Sequence, residues 1–114
     1  SGGRNMRSVR MTDEELYLEL CRGRHEVPLA KDGALFPYKV EDIEAVSSLE
    51  EMASKHIAYL ISKKGKKIRK VNIFVTGFTP ALIAGINACR SMGLAVKLWH
   101  FNFKTGQYFP QEVR

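Results

Sequence analysis

The residue types best suited to chemistry in this chain fall together in Thr76-Gly77-Phe78-Thr79-Pro80. They follow an apolar run, Val71–Val75, that reads as a strand, and they precede a segment that reads as a helix. Thr79 is expected as the N-cap and Pro80 at the first helical position, where a missing N–H costs nothing. Such a loop offers free backbone N–H groups and the positive end of a helix dipole, where a phosphate binds most cheaply. Gly77 and Phe78 supply backbone donors, and Thr76 and Thr79 supply hydroxyls. The spacing is neither GxxxxGK[ST] nor GxGxxG, and no acidic residue follows about 20 positions on. The competing reading is a strand-to-helix turn with no ligand.

A second run, Leu94–Phe103, reads as the next strand. In open α/β sheets ligands bind beyond the carboxyl ends of the parallel strands, so the end of this strand belongs beside the Thr76 loop. Alternation puts His100 and Asn102 on one face with Val96 and Leu98, and Trp99 and Phe101 on the other. The candidate ligand-binding set is Thr76, Gly77, Phe78, Thr79 and Asn102. The candidate catalytic pair is Thr76 and His100, with His100 the best acid, base or cation. A hydrogen-bonded structural histidine is the alternative for His100, and core or interface packing is the expectation for Trp99 and Phe101.

No Ser-His-Asp or Cys-His arrangement stands out, and residues 61–114 contain one carboxylate, Glu112. Metal-dependent phosphoryl transfer is therefore not expected, and neither a metal nor a cofactor is assigned. Any catalysis would be metal-independent. On RNA, a ribose 2′-hydroxyl can attack the adjacent phosphodiester when the site aligns it and stabilises the developing charge.

Positioning these groups requires a particular order of elements. Thr12-Asp13-Glu14-Glu15 reads as a capping box opening a short helix to about Arg22, ended by Gly23. Arg24–Ala30 reads as a short strand weakened by Pro28. Lys31-Asp32-Gly33 is a turn, and Leu35–Val46 is ambiguous: Pro37 opposes a helix, while Val40–Val46 fits one helical turn or two. Ser48 then opens a clear amphipathic helix whose buried stripe is Leu49, Met52, Ala53, His56, Ile57, Leu60 and Ile61. His56 on that stripe reads as a core histidine. Lys63-Lys64-Gly65-Lys66-Lys67 ends the helix, as a solvated loop or a small phosphate patch, at the end of the next strand far from Thr76.

The helix Pro80–Met92 is apolar nearly all round, so burial by the sheet and by a second subunit is expected. Gly85 within it permits close approach, and Gly93 closes it. Lys104-Thr105-Gly106 turns the chain into Gln107–Val113, an antiparallel edge strand where Pro110 is tolerated. Helix and strand alternate, which gives an α/β fold with a partly parallel sheet and an antiparallel edge strand.

The chain has 114 residues and a net charge of +6, and one domain over residues 11–114 is expected. Ser1-Gly2-Gly3 reads as a cloning scar, and residues 1–10 as a flexible N-terminal segment. Residues 1–60 hold 8 Lys/Arg against 11 Asp/Glu, and residues 61–114 hold 10 against one. The second half suits an anionic partner, or is a solvated basic face. Cys21 and Cys89 lie on apolar helix faces, without metal-ligand spacing, as expected of reduced thiols in a cytoplasmic protein. No run approaches the roughly 18 apolar residues that span a bilayer, so no membrane partner is expected, and no signal peptide is visible.

Strand, TGFTPA loop, buried helix and second strand (Val71–Phe103) together resemble the Rossmann-like core of CRISPR-associated CARF domains and the related small ring nucleases of antiviral defence. The resemblance covers about a third of the chain. It implies a small Rossmann-like three-layer core and a homodimer. It further implies binding of a cyclic oligoadenylate across the two-fold axis, with Thr76, Gly77, Phe78 and Thr79 lining the pocket and metal-independent ring cleavage as a possible activity. Two alternatives stay open. One is a non-enzymatic interaction protein for nucleotides or nucleic acid; the other is a small enzyme acting on a phosphorylated metabolite.

Overall fold

A computed structural model describes residues 11–22, 27–37 and 46–114. Their core is a five-stranded sheet in the order β2-β1-β3-β4-β5, made of β1 (Glu15–Cys21), β2 (Ala34–Phe36), β3 (Lys70–Phe74), β4 (Ala95–Asn102) and β5 (Gln107–Val113). The first four strands are mutually parallel and β5 runs antiparallel to β4. Two helices are described, α1 (Val46–Lys64) between β2 and β3, and α2 (Thr79–Ser91) between β3 and β4. The fold is thus mixed α/β with an antiparallel edge strand, as the sequence implies.

The N-terminal segment differs from expectation. Residues 15–21 form a strand, not a helix. The reciprocal capping-box bonds do not form: Thr12 N donates to Tyr17 Oη (2.8 Å), while Thr12 Oγ1 donates to Glu15 Oε2 (3.2 Å) and accepts from Glu14 N (3.3 Å). These contacts close a turn, and the chain then extends because Leu16, Leu18 and Leu20 alternate with Tyr17, Glu19 and Cys21 and pair with β3 from Glu15↔Lys70 to Glu19↔Phe74. β1 is thus an internal strand, paired in parallel with β2 on one side and β3 on the other. Val27–Ala30 is a turn-containing segment and not a strand; Arg24–Glu26 and the ambiguous 38–45 lie outside the described residues, as does the N-terminal segment 1–10.

The two faces of the sheet are covered differently. Leu16, Leu18, Leu20, Val71, Ile73, Val96 and Leu98 pack against Leu49, Ala53 and Ile57 of α1 and Ala81, Ala84, Ala88 and Cys89 of α2. Both helices thus share one face. Met52, expected on the buried stripe, is 40 % exposed. Gly85 lets α2 approach β2: a Cβ there would sit 2.4 Å from Leu35 Cδ2. On the opposite face Val27 and Leu29 press on Tyr17, Phe74 and Trp99. Among the described residues this third layer is an irregular segment, not a helix.

The arrangement has one hand. The β1-to-β2 connection moves one way along the sheet with its segment on one face. The β2-to-β3 and β3-to-β4 connections move the other way with helices on the opposite face. Reversing both direction and face preserves the crossover hand. No described helix is long and apolar enough to cross a membrane.

Candidate functional site

Parallel strands in the order 2-1-3-4 send the chain outward in opposite directions from β1 and β3, the switch point where open α/β sheets place a ligand crevice beyond the strands' carboxyl ends. The loop 75–78 leaves β3 at that point. Val75 N still donates to Trp99 O (2.9 Å), so the loop starts in register with β4 and then departs from it. Thr76 turns the other way: its Oγ1 lies 3.4 Å from Cys21 N and 3.5 Å from Cys21 O, at the end of β1. These are long hydrogen bonds that engage the hydroxyl lightly. Gly77 follows with φ +86, a conformation L side chains rarely adopt.

Helix α2 begins one residue earlier than the sequence implies. Phe78 is the N-cap with extended backbone, Thr79 is the first helical residue, and no side chain caps the end. Thr79 is exposed and free of the capping role assigned to it. Phe78 N donates back to Thr76 O (3.2 Å), and Leu82 N makes the first bond to Phe78 O (3.1 Å). Among the described residues nothing accepts from the N–H groups of Gly77, Thr79 and Ala81. Pro80 has none to give. The loop therefore combines two hydroxyls with three unused amide donors, a set suited to the oxygens of a phosphate.

The last register pair between β3 and β4 is Phe74↔Trp99, so His100, Phe101 and Asn102 run on past the end of β3, alongside the loop. His100 and Asn102 share the face of Val96 and Leu98, as expected. His100 Nε2 lies 2.8 Å from Gln111 Oε1 and its ring sits 5.3 Å from that of Phe109, so β5 holds the imidazole in place. Asn102 Oδ1 accepts from Lys104 N (2.9 Å) and Thr105 N (3.4 Å), which makes it the first residue of the hairpin turn. Its carbonyl oxygen is thus committed to the backbone. Trp99 is buried, its Nε1 donating to Asn72 Oδ1 (3.0 Å), so it is a core residue.

Charge is distributed otherwise than the sequence halves suggest. Lys63, Lys64, Lys66, Lys67, Arg69 and Lys70 all lie at the amino-terminal end of β3, opposite the loop. Part of that charge is paired with the acidic half of the chain. Lys64 holds Asp32 (3.2 Å) where both are mostly buried, and Lys66 holds Asp13 (3.0 Å), keeping that carboxyl below the usual range. Lys70 and Lys97 both face Glu112 at 3.8 Å. The basic half does not focus on the loop.

Two residues at the crevice carry no signal in a helical reading of the N-terminus. Cys21 ends β1 half-buried beside Thr76; burial and then Glu19 push its thiol up, so it stays protonated. Arg22 comes next, exposed, with its N–H bonded to Phe36 O (3.2 Å). Period-two alternation over Leu16–Leu20 is the signal that would have placed both at a strand end. A groove of ≈430 Å³ lies elsewhere, between β2 and α1, lined among others by Leu35, Pro37, Met52 and His56. Among the described residues no cluster of three or more His, Cys, Asp or Glu is placed to hold a metal ion.

The chain matches no protein-family model, no curated protein and no solved structure with which it was compared.

Proposed function

We propose that the chain is a small Rossmann-like domain that binds a phosphate-bearing nucleotide in the crevice beyond β1 and β3. The ligand class that best fits the CARF-like resemblance is a cyclic oligoadenylate second messenger, held across the two-fold axis of a homodimer. The observation that carries the reading is Thr76, whose hydroxyl lies lightly held between two parallel strand ends, beside the unused amides of Gly77, Thr79 and Ala81. Arg22 supplies the cation that the lysine cluster, at the far end, does not. Ring opening would follow by attack of a ribose 2′-oxygen on the adjacent phosphorus, releasing the 5′-oxygen. Thr76 and the loop amides would steady the phosphorane oxygens, and His100 would move the proton.

Isothermal titration with cyclic tri-, tetra- and hexa-adenylate tests this directly. Binding of one ring is expected. Thr76→Ala should weaken it roughly ten- to hundredfold, the effect of losing a hydrogen bond to a charged group. Absence of heat with all three rings would sink the reading. A denaturing gel run with and without chelator separates binding from cleavage: product that persists with chelator and vanishes in His100→Ala supports the enzymatic half, and an intact ring removes it.

A further inference from the structure

We propose that the aromatic rings of the β4–β5 hairpin form the wall on which a base of the bound nucleotide stacks, an inference that rests on the nucleotide reading of the Thr76 loop. Four rings make a continuous edge-to-face ladder. Phe74, fully buried, meets Tyr108 at 5.1 Å and 84°; Tyr108 meets Phe101 at 5.2 Å and 70°; Phe101 meets Phe103 at 5.0 Å and 77°. The ladder starts in the core and ends in solvent, with Phe101 40 % and Phe103 91 % exposed. Edge-to-face pairing uses the rim of one ring at each contact, and at 91 % exposure the faces of Phe103 stay open.

Three features point to a planar ligand instead of a protein surface. First, the exposed aromatic surface is small and ends at Phe103: Lys104, Thr105 and Gly106 follow it, all exposed and none apolar. A protein interface needs a contiguous apolar core, whereas one ring beside a cation suits one base beside a phosphate. Second, the ring is carried on a fixed backbone. Asn102 Oδ1 binds Lys104 N and Thr105 N, Gly106 N donates to Asn102 O (2.8 Å), and Gln107 N donates to Thr105 Oγ1 (3.3 Å). Pre-ordering of this kind lowers the entropic cost of stacking. Third, the hairpin extends past the same end of the sheet as the Thr76 loop. Only one interstrand spacing, about 4.8 Å, separates β3, which carries the loop, from β4, which carries the hairpin.

Adenosine 5′-monophosphate and ribose 5-phosphate differ only by the base and are the decisive probes, with cyclic tetra-adenylate as a third. The wild-type chain should bind the adenylate roughly tenfold more tightly than the sugar phosphate. Phe103→Ala should remove most of that difference while leaving the sugar phosphate unchanged, and Phe103→Trp should keep it. Phe103 is too exposed for its replacement to threaten folding. Equal affinities for the two probes, or an adenylate affinity indifferent to Phe103→Ala, overturn the stacking wall and leave the phosphate site standing. Failure of the wild-type chain to bind any of the three overturns the phosphate site, and the wall with it.

Discussion

The two faces of the sheet are built on different physics. On the helix face, strand leucines, valines and isoleucines meet the alanines of α2 and the aliphatic stripe of α1 in close apolar packing. The other face is aromatic and wired by hydrogen bonds. Asn72, 2 % exposed, accepts from Trp99 Nε1 (3.0 Å) and donates to Glu15 Oε1 (3.0 Å) and Leu16 O (3.2 Å). Asp32 Oδ2 accepts from Tyr17 N (2.9 Å), and Lys64 reaches Asp32 and Glu15 O (3.3 Å). A helix can cover a face by shape alone, whereas an irregular segment such as 27–33 needs directional bonds to fix where it lies. The candidate site sits at the carboxyl ends of β1 and β3 and inherits the rigidity of those strand ends.

If this division is right, truncation should cost most on the helix face. Ile73 is fully buried there, and Ile73→Ala should lower unfolding stability by about 3–4 kcal/mol, through lost transfer energy plus the cavity left behind. Urea unfolding measures it; a cost under about 1 kcal/mol would mean that the helices repack freely and that shape does not specify this face.

Asn72→Ala probes the wired face, with an expected cost of about 2 kcal/mol. Most of that is the penalty of leaving the Trp99 N–H and a neighbouring carboxylate without their partner. Trp99 is the single tryptophan of the chain, so its emission reports on this face alone. A shift to longer wavelength before global unfolding is expected in the variant. A double-mutant cycle with Trp99→Phe should show a coupling of about 1 kcal/mol; strict additivity would break the claim that directional bonds organise the face.

The sequence told these two faces apart only in part. Strand β3, helix α2, strand β4 and edge strand β5 were legible because each is continuous in sequence: apolar runs, a Gly85 notch, a Gly93 stop at φ +74, and Pro110 tolerated at an edge. The alternation that faces His100 away from Trp99 was legible for the same reason. Strand β1 was not. Leu16, Tyr17, Leu20 and Cys21 fit one face of a helix as well as Leu16, Leu18 and Leu20 fit one face of a strand, and seven residues cannot arbitrate. What decides is pairing with β2 and β3, whose partners lie 15 and 55 residues away in the register Glu19↔Ala34 and Glu15↔Lys70. At the site, the loop was legible but its charge was not. Net charge per half says nothing about which end of a strand a lysine occupies, and Lys63–Lys70 fall at the wrong end. Thr79 looked like a cap because its type fits; the backbone placed Phe78 there instead.

The smallest effect concerns the margin of the helix face, where α1 meets β2. His56 stands there, half-buried, its ring stacked on Tyr59 at 5.9 Å. Burial holds its imidazole below the ordinary value of 6.5, with the backbone at Ala34 pulling weakly the other way. Cys89, in the centre of the same face, is pushed up to about 12 by burial and stays a thiol throughout. A lowered folded-state value means that just below pH 6.5 the unfolded chain binds a proton that the folded chain refuses. Stability therefore holds above pH 6.5 and falls as pH drops through the window beneath it. Urea midpoints at pH 7.5 and 5.5 should differ in the wild-type chain, and the difference should shrink in His56→Gln, which keeps a polar group but cannot charge. An undiminished pH difference in His56→Gln would overturn the assignment of the acid response to this margin of the helix face.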